Sequence, residues 1–144
     1  MERKIFALKG VGNVGKTQTI KKAYELIIEK YPNAKQELVI NGPGIEIRSI
    51  ITIKGVKIGI ESQGDPNSRL VESIDLFVKE KCRVIICATR TSGATVEAVK
   101  KLQPDYKVVW FERPVINDVS DRNQSNQDMV NKLVSETERL IKLK

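Results

Sequence analysis

At 144 residues, 40% hydrophobic and 30% charged, the chain has the balance of one soluble globular domain, residues 1–144, with a single core. It contains no histidine, which excludes an imidazole general base and a histidine-held zinc–water centre. The net charge of +7 raises nucleic acid as a ligand, but Lys and Arg are spread from end to end and the few aromatics are not interleaved with them, so nucleic acid is not expected.

No apolar run approaches the about 20 residues of a membrane-spanning helix. The opening Met1-Glu2-Arg3-Lys4 leads straight into an apolar stretch, so no membrane contact or secretory signal is expected and the cytoplasm is the expected compartment. Cys82 and Cys87 flank or sit within one apolar strand, where they read as buried thiols rather than a disulfide or metal pair.

In chain order, residues 4–8 form a short apolar run suited to a buried strand, and residues 19–31 place Ile20, Ala23, Tyr24, Ile27 and Tyr31 on one helical stripe. Pro32 stops that helix, and a short strand follows at 37–40. Residues 45–53 alternate, with Ile45, Ile47, Ile51 and Ile53 on one face and Ile50 on the more polar one. Lys54-Gly55 marks a tight hairpin into a strand at 56–61, which puts strand 45–53 antiparallel at or near the sheet edge. A sheet edge leaves backbone groups unpaired, so this strand is the expected surface for a protein partner or a homodimer.

Asp65-Pro66 reads as the start of a helix whose apolar stripe is Leu70, Val71, Ile74, Phe77 and Val78. Residues 83–88 are apolar enough for a central strand, and residues 94–102 form a helix that Ser92 or Thr91 would cap. The last strand is expected at 107–111, stopped by Pro114. A final helix opens with Ser125 and Asp128 as a capping box and carries Met129, Val130, Leu133, Val134, Thr137, Leu140 and Ile141 on its buried face. The order of strands and helices predicts an α/β domain of three layers, mostly parallel with an antiparallel hairpin strand.

Between the first strand and helix lies Gly10-Val11-Gly12-Asn13-Val14-Gly15-Lys16-Thr17, which fits G-x-x-x-x-G-K-[ST] residue for residue. Glycine lets the backbone approach a ligand without a Cβ in the way, and successive N–H groups then form a cradle for anionic oxygens. The helix starting near Lys16 adds its positive dipole end there, with Gln18 in its first turn. In a solvent-facing loop Lys16 would meet the β- and γ-phosphates, and the Thr17 hydroxyl would ligate Mg²⁺.

This stretch, with a strand before it and a helix after it, resembles the P-loop NTPase superfamily, and small GTPases have a similar hairpin before their second phosphate motif. The resemblance implies a three-layer P-loop NTPase fold, a bound nucleoside triphosphate and Mg²⁺. Where small GTPases carry Asp, two variable residues and Gly, this chain has Glu61-Ser62-Gln63-Gly64. By that likeness Glu61 holds Mg²⁺ through a water, the Gly64 N–H meets the γ-phosphate, and Asp65 orients or activates a water. Arg90, just after the central strand, is the candidate γ-phosphate sensor, its rival role being a pair with Asp65 or Glu61.

The guanine signature Asn-Lys-x-Asp is replaced by Glu112-Arg113-Pro114-Val115, so ATP is favoured, GTP stays open, and Arg113 is the residue placed to flank a base. The expected activity is slow Mg²⁺-dependent ATP hydrolysis with catalytic Lys16, Asp65 and Arg90, in a switch or accessory ATPase. The alternatives are a small-molecule or nucleotide kinase, for which only Arg90 is suitably placed, and a nucleotide-binding module that does not turn over.

Overall fold

The computed structural model describes residues 2–10, 16–41, 47–64, 69–112 and 119–142. Six strands and four helices follow one another as β1 (Lys4–Lys9), α1 (Lys16–Lys30), β2 (Lys35–Asn41), β3 (Ile47–Ile53), β4 (Val56–Glu61), α2 (Leu70–Lys79), β5 (Val84–Thr89), α3 (Ala94–Lys100), β6 (Lys107–Glu112) and α4 (Val119–Lys142). The strands form one sheet in the order β2-β3-β4-β5-β1-β6. β1 lies parallel between β5 and β6, and β4 lies parallel to β5. Only β3 runs against its neighbours, antiparallel to both β2 and β4.

The alternation of side chains along each strand divides the core in two. Phe6, Leu8, Ile58, Ile60 and Ile86 pack with Ile20, Ala23 and Ile27 of α1 and Leu133, Val134 and Leu140 of α4. On the other side Ile5, Ala7, Ile85 and Cys87 meet Ile74 and Phe77 of α2 and Val99 of α3. The result is three layers with β1 and β5 buried on both faces, as the apolar runs of central parallel strands require. Among the described residues no helix is long and apolar enough to cross a membrane.

Two glycines have a geometric reason. Gly55 (φ 80°) follows Lys54 (φ 51°), and two successive positive φ values close the β3–β4 hairpin with the twist its strands need. At Gly59 a Cβ would stand 2.5 Å from the Phe77 ring, so only glycine lets that ring lie flat against the sheet.

Several sequence expectations are corrected. β3 is antiparallel and near the sheet edge, as expected, but the edge itself is β2: both hydrogen-bonding rows of β3 are used, by β2 and β4, and Ile50 is fully buried in the α2-side core. It therefore offers no unpaired backbone row to a partner or a second copy. Val71 and Val78 are exposed on α2, whose buried face is Leu70, Ser73, Ile74 and Phe77. The residue before α3 is Gly93, at φ 91°, with no side-chain cap bond from Ser92 or Thr91. α4 begins at Val119, so Ser125 and Asp128 lie inside the helix rather than at its cap. Residues 45 and 46 of the expected strand, and Asp65-Pro66, lie outside the described residues.

The new place of Ile50 is testable. Ile50→Ala should cost about 2–5 kcal/mol, as truncation of a fully buried isoleucine does. Urea melts at two protein concentrations measure it; a loss below 1 kcal/mol would mean that Ile50 is not a core residue.

Candidate functional site

In a largely parallel sheet the strand carboxyl ends share one edge, where polar loops leave the core. Here the ends of β1, β5 and β4 stand side by side, with β5 in the middle. The Gly10 N–H donates to the Thr89 carbonyl at 3.2 Å, joining the residue after β1 to the last residue of β5. α1 opens directly above, at Lys16.

Lys16 is not solvent-facing, as the sequence suggested, but only 5% exposed. Its Nζ donates to the Gly10 carbonyl at 2.6 Å and to the Thr89 carbonyl at 2.7 Å. These are short charge-assisted bonds that tie the start of α1 to two strand ends at once. On the next position of α1 the Thr17 hydroxyl donates to the Ser62 carbonyl at 3.4 Å, and Gln18 is exposed.

Residues 61–64 form the neighbouring loop. Ser62 continues the β3–β4 ladder by one step: its N–H donates to the Ile47 carbonyl at 2.9 Å and its Oγ accepts the Ile47 N–H at 2.8 Å. A Cβ on Gly64 would stand 2.5 Å from the Ala88 carbonyl group, so glycine is what lets this loop lie against the end of β5. Lys16, Thr17, Gly10, Gly64 and Thr89 are thus gathered on one edge.

Glu61 is fully buried and is turned toward α2. Its carboxylate accepts Arg69 Nε at 2.7 Å, the Gln63 N–H at 3.0 Å and the Ser73 hydroxyl. The metal-side role expected of it therefore meets a carboxylate with three donors already on it, across the sheet from α1. Arg69 and Ser73 were not foreseen; the only signal was their spacing of one helical turn, which puts both over Glu61. Arg48, directly opposite Glu61 across the β3–β4 ladder, sends Nη1 to the Ser73 Oγ at 3.4 Å and to Glu72 at 3.7 Å.

Arg90 leaves β5 at the same edge. Its N–H donates to Thr95 Oγ1 at 3.0 Å and its carbonyl accepts the Thr89 hydroxyl at 2.9 Å, which fixes the turn into α3. Val11, Gly12, Asn13, Val14, Gly15, Asp65 and Arg113 lie outside the described residues.

Both thiols are free and buried. Burial pushes Cys87 up to about 12, helped by the charge of Glu61, and burial likewise pushes Cys82 up to about 12. Neither is a nucleophile near neutral pH. Among the described residues no group of three or more Cys, Asp or Glu side chains could by itself hold a metal. No protein-family model, no curated protein and no solved structure matches this chain.

The Glu61–Arg69 pair makes its own prediction. Arg69→Ala removes the guanidinium bonded directly to a fully buried carboxylate and should destabilise by about 3 kcal/mol. Arg69→Ala/Glu61→Gln should recover part of that loss, because the buried charge that lost its direct partner is gone. Chemical denaturation of the two variants checks this; no recovery in the double variant would show that the charge was not the cost.

Proposed function

We propose that the chain binds a nucleoside triphosphate, ATP in preference to GTP, through the loop from Gly10 to Thr17, and hydrolyses it slowly as a switch or accessory ATPase. The observation that carries this reading is Lys16: a buried ammonium at the first residue of a helix, bonded to main-chain carbonyls where two central strands end. Phosphate oxygens offered to that point would meet the ammonium and the positive end of α1 together. The glycine spacing of residues 10–15 supplies the chemical reason for a backbone cradle beside it.

The donors near Thr17 fit a Mg²⁺ ion that arrives on the phosphates and keeps most of its waters: a hydroxyl and the Ser62 carbonyl are at hand. Thr17 would hold the ion. The metal would draw charge from the phosphate oxygens when bound. Glu61, already taken by Arg69 and Ser73, is better read as the carboxylate that anchors α2 to the sheet. Gly64 keeps its proposed contact with the γ-phosphate, and Asp65 its water-orienting role. Arg90 would sense the γ-phosphate from the end of β5.

Calorimetry with Mg²⁺ and either an ATP analogue or ADP tests the assignment. Lys16→Ala should lose at least tenfold in affinity for both nucleotides. It should also melt at a lower temperature, since two buried carbonyls lose a charged donor worth about 1–3 kcal/mol. Arg90→Ala should weaken the ATP analogue about tenfold or more and leave ADP within twofold. Unchanged nucleotide affinity in a folded Lys16→Ala protein would overturn the reading, and equal losses for both nucleotides in Arg90→Ala would remove the sensor.

A further inference from the structure

The cluster around Glu61 has a charge balance that its own members do not close. Arg48 and Arg69 keep only 14% and 18% of their side-chain surface, and among the described residues the one buried carboxylate between them is Glu61. The other acid that the described residues place there, Glu72, is 75% exposed at 3.7 Å from Arg48, and an exposed pair of that length neutralises little. Two guanidiniums thus share one buried negative charge. Each also leaves a buried N–H without a partner, Nε of Arg48 and Nη2 of Arg69. A guanidinium donor taken from water and given nothing in return is costly, and such orphans are rare in folded proteins.

The two forks are close and share one scaffold. Arg48 Nη1 meets the Ser73 Oγ, Ser73 meets Glu61 Oε1, and Arg69 Nε meets the same Oε1 at 2.7 Å. The cluster sits where β4 ends and α2 begins, on the edge shared with Lys16 and Thr17, and Thr17 touches the loop that follows Glu61. Planar forks of this kind match the paired oxygens of a phosphate or carboxylate.

We infer that Arg48 and Arg69 form a second, oxyanion-binding site for the phosphate or carboxylate group of a small molecule, distinct from the nucleotide loop. The ligand supplies the missing negative charge, and a turn of either side chain, each partly open to solvent, brings its unused donor onto the ligand. Glu61 and Ser73 hold the forks apart and oriented. The site does not depend on the nucleotide reading. Where that reading also holds, the second small molecule binds at the same end of the sheet as the triphosphate but on the α2 face.

Titration of the full chain with inorganic phosphate, and separately with malonate, tests the inference, using NMR shifts and calorimetry with the nucleotide loop first saturated by an ATP analogue and Mg²⁺. Saturable binding of either anion at the 48/69 cluster is expected, with the tighter of the two identifying phosphate or carboxylate as the natural group. Arg48→Gln leaves Glu61 paired with Arg69 and should weaken that binding at least tenfold while nucleotide affinity stays within twofold. Arg69→Lys keeps the charge on Glu61 but loses the fork, and should weaken the anion likewise. Linear, non-saturating shifts in the native protein, or the same anion affinity in folded Arg48→Gln, would overturn the inference. If the native chain binds no nucleotide, the same titration without it still decides between these outcomes.

Discussion

The ammonium of Lys16 is the constraint on which the candidate site depends. It is bonded at once to the last residue of β1's run into the loop and to the last residue of β5, so helix α1 and two strands meet at one positive charge. A buried cation is tolerable only where oxygen atoms replace the water it has lost. Here main-chain carbonyls do so, and they are available only because adjacent parallel strands end together. The geometry of the sheet therefore comes first, and the chemistry of the lysine follows from it.

The same edge has a second electrical pole with a different character. At Glu61 the buried charge is negative and, among the described residues, is overmatched by arginines from β3 and the N-cap of α2. The two poles stand on opposite faces of the sheet, one with α1 and one with α2, separated by β5 and joined by the loop 61–64. Gly64 permits that loop its close course over Ala88, so a side chain there would push the two poles apart.

Much of the layer structure was legible because it is periodic. The runs at 4–8 and 83–88, the stripe of α1 and the Lys54-Gly55 turn all carry local patterns that the fold uses as written. What the sequence could not carry was which strand stands next to which. β3 alternates like a half-exposed strand, yet it is covered on both faces, so Ile50 on its more polar face turned out to be core. Lys16 announced its charge but not its burial, which depends on carbonyls from a strand 73 positions away in the chain. Arg69 and Ser73 gave only a helical spacing, and their importance arises from the buried Glu61 beneath them. The long α4 hid its start because polar residues without apolar periodicity gave no signal of helix.

The strand order also bears on how the chain assembles. β2, β3 and β4 follow one another and pair as consecutive neighbours, so this corner of the sheet forms from contacts close in sequence. β1, although first in the chain, pairs only with β5 and β6, whose residues come some eighty or a hundred positions later. Loop closure over such distances is slow compared with hairpin formation. Lys16, which follows β1 closely, is therefore held in place only once strands some eighty or a hundred positions further along have paired with β1. The residue that organises the site is thus seated in part by a contact far along the chain.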